Sequence, residues 1–203
     1  YLYELKARNV RTFVISAIFR TDSVFFKWYG SRWRQALDSY EQIFVQNEES
    51  QALLHRIVDI SAEALAVARR NGTKYAPDVR FVEGDALSDF SAMFAEKFDI
   101  VVSNPPYIPD SDSRLMRRNV TDYEPHTALF VPDNDPLLFY RSIARTALKM
   151  LKAEGKLYFE IYESLADEMQ RMLHDEGYEE IVVREDFRGK PRMICAKLSS
   201  TMR

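Results

Sequence analysis

Glycine is scarce in this chain, 6 in 203 residues, and beside it stand one cysteine and three histidines. A single thiol, Cys195, excludes an internal disulfide and every multi-cysteine zinc pattern, and it fits a reducing compartment. His55, His126 and His174 lie far apart in sequence, so a metal site would need long-range convergence, and none is expected. No run approaches the ~18 apolar residues of a membrane span. The opening YLYELKARNVRTF lacks the order of a signal peptide, so a cytoplasmic location is expected. Charge of one sign is lacking too. With 28 Lys+Arg against 31 Asp+Glu the net charge is −3, which offers no general attraction to phosphate backbones. What is present, 46% hydrophobic and 29% charged residues, suits a globular chain able to bury a core.

From Ile57 onward strand-like runs alternate with helical ones. IVDIS ends a short strand, and Ser61 can cap the helix AEALAVARRNG, with Glu63 in its first turn and Gly72 as its stop. VRFVEGD alternates with period two, whereas FDIVVSN is a near-continuous apolar run of the kind buried on both faces. Tyr140, Ile143, Ala144, Ala147, Leu148 and Leu151 recur at helical spacing from about Leu137, and Gly155 is expected to end that helix. KLYFEIY reads as a strand. Leu165, Met169, Met172 and Leu173 mark a further helix stopped near Gly177. YEEIVVREDF and RMICAKL, joined through RGKP, leave no room for a crossover helix and should form an antiparallel edge hairpin, with Cys195 buried in its second strand. The alternation predicts a doubly wound, mostly parallel α/β sheet, with ligands beyond the strands' carboxyl ends.

Residues 1–56 break this rhythm. They are rich in aromatics, and Val10, Phe13, Val14, Ala17 and Ile18 suit one helix face while Trp33, Leu37, Tyr40 and Phe44 suit another. A small helical N-terminal segment over residues 1–43, ahead of a main domain over 44–203, is the expectation.

Three polar residues fall at the ends of successive predicted strands: Asp59, Asp85 and Asn104. On one rim they could line a common crevice. Asp59 has two oxygens that can accept both hydroxyls of a ribose, and Asp85 could meet an adenine amino group or hold the nearby loop. Each has an ordinary alternative, since Asp before a helix is commonly a cap and Gly-Asp is common turn chemistry. The quartet Asn104-Pro105-Pro106-Tyr107 is harder to explain as a mere connection. The prolines stop a buried strand and fix its exit, and four restrictive residues after such a strand suggest a site.

VVSNPPYIP together with NVTDYEPHTALFVPDNDPLLFYRSIA resembles the HemK family, the S-adenosyl-L-methionine-dependent protein-(glutamine-N5) methyltransferases that modify peptide chain release factors. VDISAEALAVARRN, FVEGD, GKLYFEI and DFRGKPRMICA extend the likeness over about residues 57–198. The resemblance implies a seven-stranded class I methyltransferase (Rossmann-like) sheet and an N-terminal segment that helps grip the release factor. It also implies a cofactor site using Asp59, Asp85 and Asn104, with S-adenosyl-L-homocysteine as product and no metal. Asn104, Pro105, Pro106 and Tyr107 would be catalytic and substrate-binding, and Tyr123 and Glu124 would border the substrate pocket. His126, next in line, is expected to be solvated rather than catalytic. Nucleic acid is an improbable partner, though amino-methylating enzymes of adenine and guanine use near-identical quartets.

In one respect the sequence departs from that family. A glycine-rich loop should follow the first strand, yet the only glycine before Gly72 is Gly30. We expect the loop region to be missing from the chain ahead of residue 58, because a parallel sheet without its central strand would expose two unpaired edges. The competing account is a true loss of the loop, which would leave a non-catalytic binding module.

Overall fold

Period-two and period-3.6 apolar patterns alternate along the chain, and the computed structural model, which describes residues 12–15, 54–75, 77, 79–115 and 126–199, turns them into one sheet flanked by helices. Its strands are β1 (Thr12–Ile15), β2 (Leu54–Asp59), β3 (Arg80–Glu83), β4 (Phe98–Ser103), β7 (Leu151–Glu160), β8 (Tyr178–Glu185) and β9 (Pro191–Leu198). They lie in the order β3-β2-β1-β4-β7-β9-β8, and a separate two-stranded ribbon pairs β5 (Ile108–Pro109) with β6 (Phe130–Val131). Every neighbouring pair from β3 to β7 is parallel, and β9 runs antiparallel to both β7 and β8. The α/β sheet and its antiparallel C-terminal hairpin follow the sequence expectation.

The helices are α1 (Ala62–Tyr75), α2 (His126–Leu129), α3 (Leu138–Met150) and α4 (Ala166–Asp175). Ser61 caps α1, its Oγ accepting the Ala64 N–H at 3.1 Å. The apolar stripe of α3 buries Tyr140, Ile143, Ala144, Ala147 and Met150, while α4 buries Met169, Met172 and Leu173. These side chains join Phe98, Val101, Leu157, Phe159 and Ile194 of the sheet in one core. At about 1.5–3 kcal/mol for each large apolar side chain removed from water, that cluster is what holds the helices on the sheet.

Four expectations need correction. Phe13 and Val14, placed by their spacing on a helix face, belong to β1, an interior strand that pairs with β2 on one side and β4 on the other. A four-residue run of branched and aromatic residues fits either period, and the sheet's open slot decides it. β1 occupies the place between β2 and β4 whose strand the sequence reading expected among residues missing ahead of residue 58. The rest of the predicted helical segment 1–43, and Gly30, lie outside the described residues. Gly72 does not stop α1 but sits inside it, where a Cβ would lie 2.5 Å from the Phe81 ring, so the glycine lets β3 pack close. Nor does Gly155 end α3: the helix stops at Met150, and Gly155 lies within β7 after a kink at Glu154 (φ 66°). A Cβ there would meet the Lys152 carbonyl at 2.9 Å, which is why glycine serves the kink and not a cap. Cys195 is half-buried rather than fully buried, because β9 presents it beside Tyr158 and Val182 near the sheet's edge.

Candidate active site

Strand register decides which side chains share a rim. Val82, Val58, Ile15, Ser103, Phe159, Ile194 and Val183 form one continuous row across all seven strands. The residues one step further along β2, β4 and β7 are Asp59, Asn104 and Glu160. Three polar groups thus stand at one level along the carboxyl ends of the parallel strands, with Asp59 and Asn104 two strands, about 10 Å, apart.

Asp59 ends β2 and is half-buried. Its Oδ1 accepts the Ser61 N–H at 2.8 Å, and its carbonyl accepts the Gly84 N–H at 3.0 Å. Burial pushes its carboxyl above the ordinary 3.8, and the backbone N–H groups of Ser61 and Ile60 only partly offset this. Asp85, two residues past β3, has its Oδ1 on the Leu87 N–H at 2.8 Å, a turn of the ordinary kind. Gly84 beside it is open for a physical reason, since a Cβ would sit 2.9 Å from Val58 Cγ1. Ser103 is 1% exposed, and its Oγ has no hydrogen-bond partner among the described residues. A buried hydroxyl left unpaired at this rim is the sort of group that a polar ligand or a water satisfies.

Past β4 the chain turns sharply. Asn104 is exposed, Pro105 and Pro106 are buried, and Tyr107 is half-buried. The Tyr107 N–H donates to the Leu129 carbonyl at 3.3 Å, its ring stacks on Tyr162 at 6.0 Å and 26°, and its hydroxyl donates to Glu160 Oε1 at 2.9 Å. Tyr162 in turn donates to Asp112 Oδ2 at 2.7 Å. That bond, with some burial, pushes its phenol up to about 12. Glu160 is also pushed above its ordinary 4.5, by burial first, with the Tyr107 hydroxyl and the Arg192 charge opposing. Tyr140, fully buried, donates to the Glu160 carbonyl at 2.9 Å.

The sequence reading set Asp59, Asp85 and Asn104 on one rim, with Tyr107 in the quartet that follows; the register puts Asp59 and Asn104 at one level, and Asp85 lies beyond β3, next to the Gly84 that bonds Asp59. The same reading missed Glu160, Tyr162 and Asp112. The available signal was Glu160 itself, an acidic residue closing the apolar strand KLYFE at the same rim. Tyr123 and Glu124 lie outside the described residues. His126 opens the short α2, its side chain 70% exposed, 3.6 Å from Asp110 and with its ring 4.5 Å from Phe130.

Comparison with known proteins bears on the family and the fold. Residues 43–122 match the methyltransferase small domain family. Proteins named release factor glutamine methyltransferase are similar to the chain: that of Bacteroides thetaiotaomicron is 44% identical over 138 residues, 68% of this chain and 49% of its own length. Those of Flavobacterium psychrophilum and Enterococcus faecalis are 40% and 36% identical, over 68% and 69% of this chain and 47% and 50% of their own lengths. The chain spans about half the length of these relatives. Among solved structures, a methyltransferase from Pyrococcus furiosus superposes with a TM-score of 0.52 at 14% identity, covering 96% of this chain and 80% of that one. The CurJ carbon methyltransferase gives 0.55 at 11% identity over 94% of this chain and 49% of that one. The fold is that of the class I α/β methyltransferases, and over 68% of its length the chain is similar in sequence to the release factor glutamine methyltransferases, as its Asn-Pro-Pro-Tyr quartet and flanking segments imply.

Proposed function

We propose that this chain carries the methyl-transfer site of an S-adenosyl-L-methionine-dependent enzyme that modifies the side-chain amide (N5) of the glutamine in the Gly-Gly-Gln loop of a peptide chain release factor. The observation that carries this reading is Asn104, an exposed carboxamide at the end of a buried strand, backed by two buried prolines and a clamped tyrosine. The relatives' shared name supplies the substrate.

An amide nitrogen is a poor nucleophile because its lone pair is delocalised into the carbonyl. With the Asn104 Oδ1 and the Pro105 carbonyl accepting its two N–H bonds, the glutamine nitrogen is held in one orientation, which converts an unlikely collision into a positioned one. Pro105 gives up a donor and presents an acceptor in a fixed place. Tyr107 packs its ring on the flat amide. The nitrogen's extra proton leaves to water after transfer.

The residues at the other end of the rim fit the cofactor. Asp59 presents a half-buried carboxylate at the end of β2, the acceptor pair that a ribose diol needs, and Asp85, whose Oδ1 is held by the Leu87 N–H, would meet the adenine amino group or hold the loop beside it. When bound, S-adenosyl-L-methionine supplies an electrophilic methyl on a positive sulfur, a reaction that requires no metal; S-adenosyl-L-homocysteine is left. A net charge of −3 favours a protein over a nucleic acid as substrate, and a translation factor as substrate places the reaction in the cytoplasm. Among the described residues no helix is long and apolar enough to cross a membrane.

The test is mass spectrometry of release factor incubated with the protein and the cofactor, which should find one added methyl on the loop glutamine. Label entering DNA or RNA, with none in the release factor, overturns the reading.

A further inference from the structure

We propose that Glu160 is a positioning residue for methyl transfer, its carboxylate at the end of β7 fixing the Tyr107 ring at the angle that meets the substrate amide. This rests on the role given to Tyr107 above.

Three of the contacts that Tyr107 makes among the described residues bear on its ring and backbone, and they do different things. The bond to the Leu129 carbonyl sets the backbone. The stack on Tyr162 covers one face of the ring at 6.0 Å but leaves the ring free to slide and turn. The hydroxyl bond to Glu160 at 2.9 Å pins the far end, and with the backbone already set it determines the side-chain torsions. Register makes this possible, because Ser103 pairs with Phe159 and so brings Glu160 level with Asn104 on the neighbouring strand. One carboxylate therefore ties the loop after β4 to the end of β7.

Glu160 is in turn held from behind. The buried Tyr140 hydroxyl of α3 donates to its main-chain carbonyl at 2.9 Å. Arg192 of β9 acts on the carboxyl through its charge while its own guanidinium sits 3.7 Å from Glu163 and 3.6 Å from Asp186. A carboxylate is chemically suited to the task, since a hydrogen bond to a charged acceptor is roughly twice as strong as a neutral one. A carboxyl that served only packing would have no reason to bond the quartet's tyrosine across 53 residues of sequence.

The experiment is a double-mutant cycle of Glu160→Ala and Tyr107→Phe on release-factor methylation, with Glu160→Gln beside it. Glu160→Ala should lower kcat about tenfold, the worth of one hydrogen bond to a charged group, and leave the cofactor's KM unchanged. Glu160→Gln, whose amide oxygen still accepts, should restore most of the rate. In the Tyr107→Phe background neither exchange at Glu160 should matter further. Independent multiplicative losses, or a Gln variant as slow as Ala, overturn the assignment. A second readout needs no activity: in protein labelled with carbon-13 on its tyrosine rings, the Tyr107 signal should move in Glu160→Ala and hold in Glu160→Gln, and a signal unmoved by Ala also overturns it. Absence of methylation by the wild-type protein, with the Tyr107 signal moving as expected, would count against the proposed function and not against the clamp. If Glu160→Ala does not fold, the isosteric Gln variant and Tyr107→Phe complete the same comparison.

Discussion

Asp59 and Asp85, at the β2 and β3 end of the rim, are each held by an amide two residues downstream, whereas Tyr107 and Tyr162, at the β4 and β7 end, are held by carboxylates 53 and 50 residues away. One side of the site is built from local turns and the other from contacts that exist only once the sheet has formed. Turn chemistry re-forms whenever its few residues adopt the right dihedrals. A clamp spanning two strands depends on register, and a slip of one residue would turn Glu160 to the other face. The two ends should therefore fail separately, one losing cofactor and the other losing transfer.

The largest separation is expected at Asn104. Its side chain is exposed and carries no hydrogen bond among the described residues, so its removal should leave folding within about 0.5 kcal/mol of wild type. Methyl transfer should fall by about 10²- to 10³-fold, as when a preorganised polar contact to the reacting group is lost. Calorimetry with S-adenosyl-L-homocysteine should still find binding. Unchanged turnover in Asn104→Ala would remove the quartet from the chemistry.

At the opposite end, Asp59→Ala should weaken S-adenosyl-L-homocysteine by roughly tenfold to a hundredfold, the range for hydrogen bonds to a charged group. The ring signals of Tyr107 and Tyr162 should stay where they are, because no described bond links them to Asp59. Full affinity in this variant would make Asp59 a turn residue and nothing more. A shift at Tyr107 would show that the two ends are coupled after all.

The same contrast explains what could be read from the sequence. Asp59, Ser61 and Asp85 act on neighbours two or three residues away, so a strand end followed by a cap was legible at once. The quartet was legible because proline and asparagine restrict the backbone by themselves. Glu160 carried one signal, its place at the end of an apolar strand, but neither its partner nor Asp112 was legible, because nothing local shows which side chain a carboxylate reaches across strands. Residues 12–15 were misread for a related reason: a threonine and three apolar residues carry too little period to choose between helix and strand, and only pairing with β2 and β4 settles the matter. The glycines at 72 and 155 misled as stops because close approach, not chain reversal, is what each one serves.

A smaller effect tests whether the local end is as self-contained as it looks. Ser61→Ala removes the cap on the Ala64 N–H and should cost about 1 kcal/mol in urea unfolding. Asp59 is held by the Ser61 main-chain N–H, which the substitution keeps, so cofactor affinity should not follow stability down. Parallel loss of both would mean that the helix cap and the carboxylate are one unit.

The smallest effect is a pH dependence, and its sign follows from burial. The Asp59 carboxyl is raised above its ordinary 3.8 in the folded chain, so between that value and the raised one the folded state keeps a proton that the unfolded state has released. Stability from this group is thus fully present below 3.8 and is lost as pH rises through the folded value, leaving a buried carboxylate that costs stability at neutral pH. Asp59→Asn keeps an oxygen for the Ser61 N–H and removes the titration. Measured by urea unfolding from pH 3 to 7, the variant should gain on wild type as pH rises. Asp186, in the β8–β9 turn, provides the opposite case: the N–H groups of Arg188 and Lys190 hold its carboxyl below 3.8, so its contribution appears above its folded value and is lost on acidification. An Asp59→Asn curve that falls away from wild type toward neutral pH would mean that the rim stabilises the charge, and that the carboxylate needs no ribose to satisfy it.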